Sequence, residues 1–242
     1  MSIVLLGVVI VAMTTAVVIA IFLVMWRARS SPRQSRTAVI SALVLASWAV
    51  VTALVAQRGF FRPSDLDSPP PVGIALGLAL AVFAASLLLS PSLRGLLTNQ
   101  RHLILLNLWR LVGVLFLVLM ANGQMPALWA LPAGIGDVIV GTTAPWIARH
   151  LEMPEGQRRA IIFTLFGMAD LVVAVGLGVM TSPGPAHVFR TTPTSELATQ
   201  FPLALVPTFL VPLAFILHVV SLSQLLGGRW ATQPSVSSLR SR

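Results

Sequence analysis

The sequence predicts an all-α fold: a polytopic membrane protein of seven transmembrane helices, N-terminus outside and C-terminus cytoplasmic. Three observations predict it. The first is composition: 56% of the 242 residues are hydrophobic, 10% are charged and the mean hydropathy is +0.90. Soluble globular domains carry about 25% charged residues. The second is length, since seven apolar stretches approach or exceed the roughly 20 residues that cross a bilayer as a helix. The third is charge placement. All 16 basic residues are arginine, because lysine is absent, and they collect on alternate connections.

The first stretch, Ile3–Trp26, is read as a retained helix. It lacks a positive n-region, its apolar run is too long for an h-region, and arginines follow it instead of a small-residue cleavage site. The second and third run over Ala38–Ala56 and Val72–Ser90. Gly73, Gly77, Ala81 and Ala85 place a small residue at every fourth position of the third. Such a stripe lets helices approach closely where lipid supplies no hydrophobic driving force. It is expected to pack within the bundle, with a homo-oligomer interface as the alternative.

Leu103–Ala121, Ala127–Ile147 and Ala160–Met180 form the fourth to sixth spans, and Phe201–Leu226 the seventh. Pro202, Pro207 and Pro212 all fall in the seventh. A proline inside a helix removes a backbone hydrogen bond and kinks it, and membrane helices tolerate this when neighbours satisfy the freed carbonyls. A bent last helix that opens space near the outer half of the membrane is therefore expected. The connections are short, and the longest, Gln57–Pro71 and Thr181–Gln200, are rich in proline and polar residues. Residues 1–242 thus read as a single seven-helix domain, with 227–242 a short, basic, disordered cytoplasmic tail. No residue pattern of spans one to three recurs in spans five to seven, so an internal repeat is not supported.

With the N-terminus outside, the cytoplasmic segments hold Arg27, Arg29, Arg33, Arg36, Arg94, Arg101, Arg149, Arg158, Arg159, Arg229, Arg240 and Arg242. The outer loops hold Arg58, Arg62 and Arg190, and Arg110 lies inside a span. This is the positive-inside distribution. The net charge of +9 then needs no nucleic acid, for which the arginines are not clustered. It suits anionic lipid at the cytoplasmic loops of a bacterial inner membrane.

Polar side chains at membrane depth are costly and are functional suspects. The candidates for binding substrate or protons are Asn107, Arg110, Asp137, Asp170 and His218. At about 1.5 Å per residue, Arg110, Asp137 and Asp170 fall in the middle third of their spans. An unpaired charge there costs roughly 2.5–3.5 kcal/mol even on the lenient insertion scale, so Arg110 is expected to pair with Asp137, Asp170 or both. Asn107, three residues before Arg110, shares its helix face. Asp170 shares a face with Gly167 and Ala174, and Asp137 with Ala133 and Gly141, so both acids should face the bundle interior. With one guanidinium and two carboxylates, the second acid is either protonated or satisfied by neutral donors. Two readings stay open: proton coupling or acid catalysis, and a static clamp that fixes helix register.

Several chemistries are excluded. In PAGIGDVIVGTTAP (132–145), Gly134, Gly136 and Gly141 miss the dinucleotide spacing, and Thr142 stands where a phosphate loop needs lysine,. The same missing lysine excludes a retinal Schiff base. Without cysteine there are no disulfides, thiolate metal ligands or cysteine nucleophiles,. No carboxylate cluster marks a magnesium–diphosphate site, and no metal is expected. No serine or threonine sits in a recognisable nucleophile context, which leans against an enzyme. A membrane histidine can ligate haem. His218 is the candidate, but His102 and His150 lie at the ends of spans four and five, and no partner shares its depth.

NLWRLVGVLFL with LPAGIGDVIVGTTAP, and SPGPAHVFR with FPLALVPTFLVPLAFILH, resemble stretches of bacterial seven-pass integral membrane proteins of uncharacterised function. The resemblance covers spans four to seven. It implies a bacterial inner-membrane location and the same helical fold, and it carries no activity, cofactor or catalytic residue. The expected function is transport or binding of a small solute, proton-linked, with Arg110 attracting an anionic group and an acid taking the proton. The alternatives are a membrane enzyme using an aspartate as general acid on a lipid-soluble substrate, and a structural or accessory subunit.

Overall fold

The computed structural model describes residues 3–62 and 71–227, so the tail expected at 227–242 lies, from residue 228 on, outside the described residues. Regular structure among these residues is helical throughout. Helices α1 (Ile3–Ala28) and α2 (Pro32–Gln57) meet at a tight corner. There Ser31 accepts a hydrogen bond from Gln34 N and Pro32 opens the first turn, the arrangement that satisfies a helix start. Ser90 and Pro91 repeat the device after α3 (Pro71–Leu89) and begin the short α4 (Pro91–Leu96), which the sequence reading did not separate. Span four is composite: α5 (Gln100–Leu105), a 3-10 segment (Leu106–Val112) and α6 (Gly113–Ala121). Then come α7 (Ala127–Arg149), α8 (Gly156–Thr181) and, after a π-helical turn at Val206–Leu210, α9 (Val211–Leu226).

Among the described residues, seven stretches are long and apolar enough to cross a membrane, and they correspond one to one with the seven read from the sequence. The seventh is shorter than expected. Residues 201–204 form turns, and the helical span begins at Val206. Pro202 therefore lies outside the helical span. Pro207 sits in its first turn, where a missing N–H costs least, and Pro212 follows the π-helical turn within it. Pro212 still has no N–H to offer the carbonyl of Thr208, one turn earlier. Trp48 on α2 supplies it, with Nε1 donating to Thr208 O at 2.9 Å.

Helix α7 is central, packing against span four on one side and α8 on the other. Helix α3 lies at the periphery against α9 and the π-helical turn. This corrects the expectation for the small-residue stripe: Gly73, Gly77, Ala81 and Ala85 all lie on the exposed side of α3, and a Cβ at Gly77 would meet nothing within 4 Å. The stripe is not packed within the bundle, because small size signals close approach but does not say to which neighbour.

The largest apolar cluster runs the length of the bundle, from Leu96 and Leu103 at the arginine-rich end to Phe116, Trp129, Ala133 and Leu171. A smaller one at the arginine-rich end includes Ile104, Val140, Phe163 and Leu225, and a third joins Ala56, Phe61 and Ala204. Polar groups interrupt this interior at Asp137 on α7, Gly167 and Asp170 on α8, and His218 and Ser221 on α9.

Candidate functional site

Arg110 is fully buried within the 3-10 segment of span four. Its Nε donates to Asp137 Oδ1 at 2.6 Å, Nη2 donates to Asp170 Oδ2, and Nη1 donates to Gly167 O at 3.1 Å. The guanidinium thus bridges α7 and α8 through both carboxylates. The planar fork makes this possible, since each edge presents a donor in a fixed direction. His218 completes the cluster from α9, with Nε2 at 3.4 Å from Arg110 Nη1. A guanidinium only donates, so Nε2 is the acceptor and the ring proton sits on Nδ1.

Glycines make room for this. A Cβ at Gly136 would fall on the carboxylate of Asp170, and one at Gly113 would collide with the Asp137 side chain and lie 2.7 Å from Gly134 O. At Gly167 it would strike His218 and come within 3.2 Å of Arg110 Nη1. The glycine pattern of residues 134–141 is therefore a packing device that seats an acid, as Gly141 shows by lying where a Cβ would be 2.9 Å from Leu111 N.

The structure brings together four of the five candidates: Arg110, Asp137, Asp170 and His218. The expected pairing of Arg110 is met by both acids at once. Asn107 stands apart. Its Nδ2 folds back onto Leu103 O (3.1 Å) and Ile104 O (3.3 Å) of its own helix, and its Oδ1 is buried without a partner among the described residues. A switch from α to 3-10 bonding skips one carbonyl, and this side chain covers that end of the α-helix. His218 is held by Phe163, whose ring centroid is 6.0 Å away, and by Arg110. The position that a haem iron would take at Nε2 faces a cation, so this geometry does not suit iron ligation there. His150 lies against Trp146, a ring contact of 4.9 Å, well away from the cluster. Among the described residues no group of three or more His, Asp or Glu is arranged to hold a metal ion.

Asp137 also opens on a cavity of about 110 Å3. Its walls come from Phe116, Trp129, Ala133, Leu171, Val175 and Val206, and its far end from Ser182, Ser195 and Thr199. It is a slot. Leu171 and Val179 are eight residues apart on its α8 wall, about 12 Å at the helical rise,. Asp137 is the one ionisable residue lining it among the described residues. Trp129 is fixed there, with Nε1 donating to Ala174 O at 2.8 Å and its ring 5.2 Å from that of Phe116. Only Oδ1 of Asp137 is engaged among the described residues, which leaves Oδ2 as a free acceptor. Ser182 Oγ, at the other end, is buried and unpartnered.

The sequence reading missed Trp129, Gly136, Thr164, Ser221 and Gln100. Spacing carried a signal for two of them: Thr164 is one turn from Gly167, and Ser221 one turn from His218. Thr164 Oγ1 and Ser221 Oγ meet at 3.3 Å between α8 and α9, and Gln100 Nε2 donates to Ser221 Oγ.

No curated protein and no solved structure matches the chain. A family described as Domain of unknown function (DUF8737) matches residues 69–226, from the start of α3 to the end of α9, and so contains the whole polar cluster and the slot. With well over half its length matched, and every residue of the site inside the match, the chain belongs to that family.

Proposed function

We propose that the protein lies in the bacterial inner membrane and binds and carries a small, largely apolar solute. The solute occupies the slot, and its one polar group donates a hydrogen bond to Asp137. The slot ending on the free oxygen of Asp137 carries this reading. The role of Arg110 differs from the sequence expectation. Fully buried, with four of its five N–H donors engaged by two carboxylates, a carbonyl and His218,, it does not face the slot; instead it holds Asp137 in place and orients it. A second free acid or base on the slot wall, which acid–base catalysis would use, is lacking among the lining residues. The slot is smaller than a cavity of about 150 Å3 that holds benzene, so the solute is a molecule of a few heavy atoms or the end of a longer chain.

Thermal unfolding of the purified protein with butylammonium, butanol and butyrate tests this. Butylammonium and butanol should raise the Tm in a saturable way and butyrate should not. Val175→Phe, which fills the slot, should abolish the shift. No shift with any probe, or an undiminished shift in Val175→Phe, overturns the reading. The full burial of Arg110, with four of its five N–H donors engaged, favours a second reading, a static clamp,. That reading gains if Asp137→Asn and Asp170→Asn both prevent folding and no probe binds.

A further inference from the structure

Most membrane hydroxyls here bond back to their own helix: Thr14, Thr52, Ser86, Thr142 and Thr208 each donate to the carbonyl four residues earlier. Thr164 and Ser221 do not. They face each other across α8 and α9, and Gln100, the first residue of span four, reaches in to join them. Gln100 is itself buried, yet its Oε1 has no partner among the described residues, and neither does Asn107 Oδ1 two turns further along the same span. Buried acceptors of this kind are normally completed by ordered water.

We infer that Ser221 and Thr164, oriented by Gln100 and joined by water at the two unpartnered amide oxygens, form a proton path from the arginine-rich end of the bundle to Asp170. The inference goes beyond the proposed function by adding a proton route, on the side of the acids opposite the slot. Hydroxyls and water each accept a proton on one side and release their own on the other, so nothing accumulates along the chain. The path begins beside exposed Arg101 and ascends about 17 Å over the ten residues from Gln100 to Arg110, the later ones in the 3-10 segment,. Thr164 lies one turn before Gly167, against which the His218 ring rests, and Asp170 lies one turn after it. The ionisable groups facing this layer are Arg110 from span four, Asp137 from α7, Asp170 from α8 and His218 from α9. Arg110 cannot relay, because it never gives up its proton. It sets the far boundary, and the proton stops on the acid pair, whose single guanidinium balances one negative charge and not two.

The test is infrared spectroscopy of the full chain in lipid without solute, following the carbonyl band of a protonated carboxylic acid on transfer to D2O. The band should be present and should disappear in Asp170→Asn or Asp137→Asn. Its deuterium shift should slow roughly tenfold in Thr164→Val and Ser221→Ala, the factor that follows from one lost hydrogen bond. Thr164→Ser keeps the hydroxyl and should exchange at the wild-type rate, and Val175→Phe should not slow exchange. Absence of the band, unchanged exchange in the hydroxyl variants, or slowing confined to Val175→Phe overturns the path. Because no solute is added, its failure is separate from failure of solute binding.

Discussion

At the scale of single residues the site is decided by charge and by the space glycine leaves. The pairing of Arg110 was legible in the sequence because depth can be counted along a helix and an isolated charge in the membrane is too costly to leave alone. The partners' helices were legible too, since only Asp137 and Asp170 reach that depth. What could not be read was which glycine admits which acid. Gly136, one residue from Asp137, makes room for Asp170 on the neighbouring helix; that depends on the rotation of α8 against α7, which one-dimensional spacing does not contain. Gly136→Ala should therefore destabilise the protein by about 1–3 kcal/mol through overpacking. Gly77→Ala, whose new methyl meets nothing, should be neutral or slightly stabilising, as expected from helix propensity. Thermal unfolding of both variants in detergent checks this. Equal Tm values for the two would mean that the acid is not seated against Gly136.

At the scale of elements, the long apolar runs made the helices legible and their irregularities only in part. Nothing in LNLWRLV (106–112) announces a 3-10 segment, since it has no proline or glycine. The tightened turn carries Arg110, whose side chain is anchored on α7 and α8. The prolines of span seven did announce a departure from regular helix, and the structure moves that departure to the start of the span. The carbonyl of Thr208 links sequence rule and tertiary answer: Pro212 withholds its usual donor and Trp48 supplies another. Trp48→Phe should cost about 1–3 kcal/mol, the penalty for a buried acceptor left unsatisfied. In a Pro212→Ala background an N–H becomes available on the same helix, so the second substitution should cost clearly less. A double-mutant cycle on Tm measures the coupling. Additive losses would show that the indole and the proline do not serve the same carbonyl.

At the scale of the whole molecule, one polar cluster interrupts the apolar interior, and the slot and the paired hydroxyls lie on opposite sides of it. Under the proposed function the two ends face different compartments, and the arginine bias proposes which is which. Arg27, Arg29, Arg33 and Arg36 flank the corner between α1 and α2, and Arg94, Arg101, Arg149, Arg158 and Arg159 lie beside the later connections at the same end. Arg29 stacks its guanidinium 3.6 Å from the Trp26 ring centroid, and Arg159 stands 5.4 Å from that of Trp146. Tryptophan with arginine at one level is the pairing expected where helix meets headgroup. The slot end carries Arg58, Arg62 and Arg190 among the described residues. This bias supports the proposal that the hydroxyl end is cytoplasmic and the slot end external. Fluorescent-protein fusions after residue 242 should be bright, and alkaline phosphatase inserted in the 182–194 connection should be active. Replacing Arg27, Arg29, Arg33 and Arg36 together by glutamine should reduce both signals by weakening the bias at the first corner. Active phosphatase after residue 242, with a dark fluorescent fusion there, would reverse the assignment and place the proton path outside.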